Sequence, residues 1–169
     1  GAIVAPMFEA FMEGAVRERM LDGKANVLIT TAEMLPRIPL GELHDLRAVY
    51  VAGSRAAHTD PRVRGLTSVF EQMEDTFDTV WMEDTDPMLL CYTSGSTGSP
   101  KGILHGHKSV MLQLYQTSKW VLDLKEDDIY WCTSDPGWIT GAIYSLLAPW
   151  LHGIESLMVG GRFNAEQWY

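Results

Sequence analysis

Cysteine and positive charge are scarce in this sequence, and long apolar runs are missing from it. Two cysteines in 169 residues, Cys91 and Cys132, form no Cys-x-x-Cys pair, so we expect small buried thiols rather than a disulfide framework or a zinc site. Because 22 acidic residues outweigh 13 lysines and arginines, giving a net charge of −9, we expect no nucleic-acid partner. No apolar run reaches membrane-spanning length, so no membrane partner is expected, and unpaired thiols favour a cytoplasmic location.

Two common nucleotide-binding motifs are also missing. A Walker loop needs Gly-Lys followed by Ser or Thr, whereas here Lys101 stands between Pro100 and Gly102. The chain also lacks the G-x-G-x-x-G turn of a dinucleotide-binding Rossmann site. If the chain binds a nucleotide, the binding loop must therefore be of another kind.

Such a loop is present between Tyr92 and Gly102, where the sequence reads YTSGSTGSPKG. An apolar run at 88–91 leads directly into it, which predicts a buried strand that ends in the loop. Glycines let backbone N–H groups approach an anion closely, the hydroxyl side chains add donors, and Lys101 adds a positive charge. The pattern favours a phosphate-binding loop over its alternative, a flexible polar linker between two strands.

Periodicity in the first 53 residues predicts alternating strands and helices. Strands are expected at 2–6, 27–29 and 48–51, and a helix is expected from Phe8 until Gly23 ends it. A short helix after the second strand should stop at Pro36. A strand-helix-strand series of this kind builds a parallel sheet with right-handed crossovers.

The rest of the chain continues the pattern after a less regular stretch. Residues 54–86 predict a surface loop and an exposed helix from Leu66 to about Thr76, and their acidic run lacks the spacing of a calcium loop, so no metal ligand is assigned. The other predicted elements are strands at 88–91, 102–105, 128–133 and 156–159 and helices at 108–122 and 138–151. A kink or early helix end is expected at Pro149, and a helix stop at Gly153.

Two strings of the sequence carry a resemblance to a known family. The loop at 92–102 resembles the signature loop of the adenylate-forming superfamily, which includes acyl-CoA synthetases, luciferases and peptide-synthetase adenylation domains. The string YWCTSDPGWITG at 130–141 resembles the acetyl-CoA synthetases and their close acyl-CoA synthetase relatives. The likeness extends through nearly the whole chain.

The resemblance implies an α/β fold with layered, parallel-type sheets and helices, truncated within the large N-terminal domain of that superfamily. It divides the chain into a βαβαβ unit at 1–53, a loop and helix at 54–86, and a phosphate-loop unit at 87–169. The mobile C-terminal domain and the adenine and ribose motifs are expected beyond Tyr169. We therefore expect the isolated chain to be inactive.

The activity that the resemblance implies is an acid-thiol ligase reaction that forms AMP. A small carboxylic acid attacks ATP to give an acyl-adenylate and pyrophosphate, and CoA then takes the acyl group, with Mg²⁺ sharing the phosphate charge. Lys101 is implied as the catalytic residue, because it neutralises the departing phosphates. The implied phosphate-binding residues are Thr93, Ser94, Gly95, Ser96, Thr97, Gly98, Lys101 and Gly102.

The second string implies an acyl and CoA pocket. Trp138 is expected to line the thiol channel, Ile139 and Thr140 to border the acyl group, and Gly141 to permit close approach. Asn164 stands where acetyl-CoA synthetases place a CoA contact, and it is equally explained as a helix cap. His105 is expected at the pocket edge or in packing. Isoleucine at 139, where many acetate enzymes have valine, leaves acetate, propionate and other short acids open, since one methylene discriminates by only about 1–3 kcal/mol.

Two other functions stay open at this stage. One is a non-catalytic module that keeps the fold and binds a nucleotide or phosphate without performing the reaction. The other is a Walker-type ATPase, which would release ADP instead of AMP. The sequence predicts no oligomeric state.

Overall fold

The computed structural model describes residues 1–55, 58–93, 98–161 and 164–168, in which short strands alternate with helices. The strands are β1 (Val27–Thr31), β2 (Ala48–Ala52), β3 (Val63–Gly65), β4 (Pro87–Thr93), β5 (Lys101–Gly106), β6 (Ile129–Tyr130) and β7 (Glu155–Ser156). The α-helices are α1 (Glu13–Asp22), α2 (Leu66–Phe70), α3 (His107–Gln116), α4 (Ala148–His152) and α5 (Ala165–Trp168). The mixture confirms the predicted α/β class.

The first sheet is parallel, with strand order β1-β2-β3. Leu28 pairs with Val49, and Val49 pairs with Val63. These three side chains are buried and alternate with more exposed ones along their strands, as in a sheet with one face on the core. Helix α1 covers that face through Val16 and Met20, which are four residues apart and buried.

Helix α1 ends as predicted but begins later. Its last residue is Asp22, and the N–H of Gly23 donates to the carbonyl of Arg19 at 2.9 Å. Its first residue is Glu13, so Phe8 and Phe11 lie in the segment before the helix rather than on its apolar face. The apolar period over this segment does not reveal the difference, since both rings still pack against neighbouring aromatic groups.

Three further predictions for the first 86 residues are wrong in detail. The segment at 2–6 is exposed and forms a single parallel bridge, Val4 with Leu89, instead of a buried strand in the first sheet. The helix that begins at Leu66 ends at Phe70 rather than near Thr76. Pro36 lies inside a 3₁₀ turn, Leu35–Arg37, rather than ending a helix, because a proline is tolerated in a first helical turn.

The second sheet is a two-stranded antiparallel hairpin of β4 and β5, so the expected parallel-type layering does not extend to it. Thr93 pairs with Lys101 at its loop end and Cys91 with Ile103 in its middle. Leu89 and Cys91 point into a second core cluster that also contains Val110 and Leu114 of α3. The loop therefore extends from a strand that the core holds on one face.

Two helical runs in the second half contain wide π-type turns. Helix α3 continues into a π-helical segment, Thr117–Val121, and α4 is preceded by another, Gly141–Leu147. Pro149 does not end the second run. It has no N–H for the Ser145 carbonyl four residues earlier, and this carbonyl accepts a hydrogen bond from the Ser156 hydroxyl at 2.9 Å instead. Gly153, at φ +66°, ends the helix as predicted.

The remaining strands form a short parallel pair, β6 with β7, in which Ile129 pairs with Glu155. Both are two residues long, shorter than the predicted strands at 128–133 and 156–159. No helix in the described ranges is long and apolar enough to cross a membrane.

Candidate functional site

The predicted phosphate loop closes the β4–β5 hairpin. Four of its predicted residues, Ser94, Gly95, Ser96 and Thr97, lie outside the described part of the chain. At the two ends of the loop, the Thr93 hydroxyl donates to the carbonyl of Lys101 at 3.5 Å. Gly98 has φ +130°, a backbone conformation that side chains with a Cβ rarely adopt. The hairpin thus brings Thr93, Gly98 and Lys101 to one end of a rigid element.

Lys101 and Gly102 end the loop, where Lys101 is exposed and Gly102 packs against the neighbouring strand. Lys101 is exposed, and none of the ion pairs among the described residues involves its ammonium group. A Cβ on Gly102 would lie 3.1 Å from the Leu90 side chain and 3.2 Å from the Tyr92 ring. Close cross-strand packing therefore accounts for the glycine at 102, while the lysine keeps a charge that is free for an anion.

Tyr92 fixes the strand that leads into the loop. Its hydroxyl donates to the Asp22 carboxylate at 2.8 Å and lies 3.2 Å from the Arg19 carbonyl, so it joins β4 to the end of α1. Burial, followed by the contact with Asp22, raises the pKa of Tyr92 to about 12. The phenol consequently stays protonated at neutral pH and keeps donating this bond.

The second predicted motif begins with a turn that Asp135 organises. The Gly137 N–H donates to the Asp135 carboxylate at 2.6 Å, and the Trp138 N–H donates to the Asp135 carbonyl at 3.0 Å. A Cβ on Gly137 would overlap the backbone of Phe8, and a Cβ on Gly141 would overlap the Asp135 carbonyl. Both glycines permit one backbone segment to approach another closely, and the role of Gly141 beside an acyl group stays a prediction.

A cleft of about 310 Å³ lies between α3 and the helical run that follows this turn. Its lining residues are His105, Ser109, Val110, Gln113, Ile139, Thr140, Ile143 and Tyr144. The structure thus brings the predicted acyl-pocket residues Ile139 and Thr140 together with His105, which the sequence placed either at a pocket edge or in packing. Trp138, Gly141 and Asn164 are not among the lining residues.

Sequence reasoning missed the polar residues that α3 and the second helical run contribute to the cleft. Ser109 and Gln113 are four residues apart, as are Thr140 and Tyr144, so each pair lies on one helix face. This spacing is visible in the sequence. The apolar stripe of α3 indicated only which face of that helix is buried, however, and the meeting of the two polar pairs depends on tertiary packing.

Trp138 does not line the cleft and packs instead against Phe8 and Phe11 of the N-terminal segment. Its ring centroid lies 5.3 Å from that of Phe8 and 6.3 Å from that of Phe11, and the side chain is 41% exposed. It is thus not an ordinary core tryptophan. The exposed part of the indole is available to a ligand.

Asn164 caps α5, as the sequence predicts. Its side-chain oxygen accepts a hydrogen bond from the Glu166 N–H at 3.0 Å. The cap accounts for the asparagine without a ligand. The CoA contact remains a prediction from the resemblance alone.

Metal-ligating side chains do not gather in the ranges that the structure describes. There, no group of three or more His, Cys, Asp or Glu residues could hold a metal ion. Mg²⁺ keeps several waters and binds through substrate phosphates in many nucleotide enzymes.

The chain matches a known family along its entire length. The model of the family described as "AMP-binding enzyme" matches residues 1–169. The acetyl-coenzyme A synthetase of Bacillus subtilis is 52% identical over 169 residues, which are 100% of this chain and 29% of that protein. The acetyl-coenzyme A synthetase of Chromobacterium violaceum is 33% identical over 95% of this chain and 27% of its own length. The chain therefore spans less than a third of the relatives that it matches.

Solved structures agree on the fold. A crystal structure of the Brucella canis acyl-CoA synthetase has a TM-score of 0.88 at 24% identity and covers 99% of this chain and 30% of that one. The anthranilate CoA ligase AuaEII, in complex with anthranoyl-AMP, has a TM-score of 0.87 at 27% identity and covers 96% of this chain and 31% of that one. The predicted assignment to part of a synthetase-type α/β domain is thereby confirmed.

Proposed function

Because the chain belongs to the AMP-binding enzyme family, we propose that it is part of an ATP-dependent acyl-CoA synthetase that activates acetate or another short carboxylic acid. The parent protein would be an acid-thiol ligase that forms an acyl-adenylate and pyrophosphate, and then the CoA thioester and AMP. The observation that carries the proposal is the hairpin loop. It begins at Thr93, ends at an exposed lysine without an ion pair among the described residues, and extends from a strand that the core and α1 hold.

The loop supplies the first step. Transfer of AMP to a carboxylate needs positive charge and N–H donors where the β- and γ-phosphates depart. Lys101 supplies the charge, and Thr93, Gly98 and Gly102 act with Ser94, Gly95, Ser96 and Thr97 as the phosphate-binding set. Mg²⁺, bound to ATP, shares the phosphate charge. In this role Lys101 is the catalytic residue.

The cleft and the indole beside it supply the second step. Ile139 and Thr140, which line the cleft, border the acyl group, and Gly141 allows the chain to approach it. Trp138 forms one wall of the channel through which the CoA thiol reaches the acyl carbon, and Asn164 contacts CoA nearer the surface. Clefts with apolar walls and a few converging polar groups are the usual form of small-molecule sites.

The remaining partner assignments follow from the same reaction. The partners are a small carboxylic acid, ATP and CoA, with neither nucleic acid nor a membrane involved, and the location is cytoplasmic. Because the chain spans less than a third of the relatives that it matches, we expect the isolated chain to be inactive. A non-catalytic nucleotide- or phosphate-binding module of the same fold is the alternative.

Product analysis of the full-length protein tests the proposal. Supplied with acetate, MgATP and CoA, it should form acetyl-CoA, AMP and pyrophosphate in equal amounts. Release of ADP would indicate a Walker-type ATPase instead. Binding of ATP without any acid-dependent product, across acetate, propionate and butyrate, would favour the non-catalytic module.

A further inference from the structure

We infer that Phe11, in the segment just before helix α1, is a positioning residue that holds Trp138 in place. The inference rests on the proposed function, in which Trp138 forms a wall of the thiol channel. Phe11 lies far in sequence from the motif at 130–141 that contains Trp138. The observations behind it are a row of ring contacts and the half-buried Arg19 side chain, whose Nε is buried.

Three aromatic side chains meet where the N-terminal segment crosses the Asp135 turn. The centroids of Phe8 and Phe11 are 5.7 Å apart with an edge-to-face angle of 89°, and that of Trp138 lies 5.3 Å from Phe8 and 6.3 Å from Phe11. Such distances and angles are typical of favourable aromatic pairs. At 41% exposure Trp138 is not enclosed by the core, and the two phenylalanine rings pack against its indole.

Arg19 covers the other side of Phe11. Its guanidinium carbon lies 4.0 Å from the Phe11 ring centroid and 5.7 Å from that of Tyr92. One terminal nitrogen donates to the Ala15 carbonyl at 2.8 Å, whereas Nε is buried without a hydrogen-bond partner among the described residues. A buried unpaired N–H is costly, and attraction of the cation to two aromatic faces offsets that cost.

The contacts therefore form a continuous column from Trp138 through Phe11 and Arg19 to Tyr92. Phe11 is the member that touches both the indole and the guanidinium group. Tyr92 is bonded to Asp22 at the end of α1 and leads into the phosphate loop. Removing the Phe11 ring leaves the indole held by Phe8 alone among these rings and so less firmly placed, while the Tyr92–Asp22 bond that holds β4 remains. The CoA step should consequently suffer more than the adenylation step.

Replacement of the ring in the full-length protein tests this division. For Phe11→Leu, KM for CoA should rise about two- to tenfold, the range expected for one lost aromatic pair. Acid-dependent exchange of pyrophosphate into ATP, measured without CoA, should stay within about twofold of the unsubstituted protein. Phe11→Tyr retains the ring and should restore KM. Phe70→Leu, at a phenylalanine that is 67% exposed on α2, is the matched control and should change neither value.

A second variant guards against a failure of Phe11→Leu to fold. Arg19→Met removes the cation from the Phe11 face, and KM for CoA should again rise more than the exchange rate falls. Equal loss in both half-reactions, or an unchanged KM for CoA in both variants, would overturn the inference while leaving the proposed function in place. If the unsubstituted protein forms no acyl-CoA at all, the proposed function fails and this inference fails with it.

Discussion

At the scale of single residues, Tyr92 links the stability of the fold to the geometry of the loop. The Asp22 carboxylate, which accepts a hydrogen bond from the Tyr92 hydroxyl, belongs to α1. The residue after Tyr92, Thr93, begins the loop. The raised pKa of this phenol, caused first by burial and then by Asp22, means that the folded protein resists losing this proton. The contribution of Tyr92 to the free energy of unfolding therefore depends on pH.

Tyr92 should stabilise the protein below pH 10 and lose that effect as the pH rises towards 12. Its folded pKa of about 12 lies above the ordinary value of 10.0, so between these values the unfolded chain releases the proton and the folded chain keeps it. Urea unfolding at a series of pH values measures the effect. Between pH 10 and 12, the free energy of unfolding should fall more steeply for the unsubstituted protein than for Tyr92→Phe; parallel curves would contradict the assignment.

Gly137 and Gly141 of the second motif are required because other backbone segments pack closely against them, and not because of a left-handed backbone conformation. Gly137 faces the Phe8 backbone, and this contact joins the Asp135 turn to the N-terminal segment. A sequence pattern indicates that a glycine is present, but it does not indicate which distant backbone approaches it.

Gly137→Ala should destabilise the protein by about 1–3 kcal/mol, because the new methyl group overlaps backbone atoms that cannot rotate away. Gly14→Ala is the matched control. Gly14 lies in α1 with nothing within 4 Å of the position of an added Cβ, and alanine there should stabilise the helix by about 0.5–1 kcal/mol. The denaturant midpoints of unfolding of both variants test this prediction. An unchanged midpoint for Gly137→Ala would contradict the close contact between Gly137 and the Phe8 backbone.

At the scale of elements, Ser118 joins the helical run of α3 to α4. Its buried hydroxyl donates to the Leu114 carbonyl at 2.7 Å and accepts from His152 Nε2 at 2.7 Å. The Tyr115 ring stacks on the same imidazole, with centroids 6.2 Å apart. Since the cleft lies between the two helical runs, this contact sets the spacing of its walls.

Ser118→Ala should lower the free energy of unfolding by about 1–3 kcal/mol, because the half-buried His152 ring loses its hydrogen bond with the buried Ser118 hydroxyl. Thermal unfolding of this variant and of Ser68→Ala provides the comparison. The Ser68 hydroxyl makes only a 3.5 Å contact with the Arg55 carbonyl, so its loss should cost at most about 0.5 kcal/mol. Equal stability of the two variants would contradict the role given to Ser118.

Elements with a strong apolar period were predictable from the sequence, and those defined by pairing were not. The period of α3 and the run of β4 indicate both elements, because burial of one face leaves a repeat in the sequence. β3 was missed: it is three residues long and owes its conformation to β2, with which Val63 pairs through Val49. The segment at 2–6 was wrongly expected to be buried, since its apolar residues resemble a strand while only Val4 finds a partner.

The candidate site was partly predictable for the same reason. Local chemistry indicated the loop ends, because glycines, hydroxyls and a lysine stand together in the sequence. The resemblance of the string at 130–141 to the acetyl-CoA synthetases, rather than local chemistry, indicated Ile139 and Thr140. Gln113 and Tyr144 were not identified, because the two helical runs are brought together by tertiary packing, in which Val110 and Leu114 share a core cluster with Ile143 and Ala148. The column from Trp138 to Arg19 likewise joins parts of the chain that are far apart in sequence.

At the scale of the whole molecule, the β1–β3 sheet and the β4–β5 hairpin pack into separate core clusters. One cluster packs α1 against the β1–β3 sheet, and the other packs the β4–β5 hairpin against α3 and α4. The predicted division at 86 falls between these clusters, whereas the one at 53 falls within the first, because Val63 belongs to it. The division of the chain into three units remains a prediction. Tyr92 and Arg19 connect the clusters at the point where the loop begins. The proposed chemistry depends on this connection, because the loop and the cleft must face the same substrate.

The central claim is that the loop between β4 and β5 holds the departing phosphates of ATP while a small acid receives AMP. Acetate-dependent exchange of labelled pyrophosphate into ATP, measured with the full-length protein, tests it most directly. Lys101→Ala should slow the exchange about a hundredfold, the usual loss for one group that stabilises developing negative charge. Lys125→Ala, which removes an exposed lysine paired with Asp123, should leave it unchanged. Exchange at the unsubstituted rate in Lys101→Ala would contradict the claim.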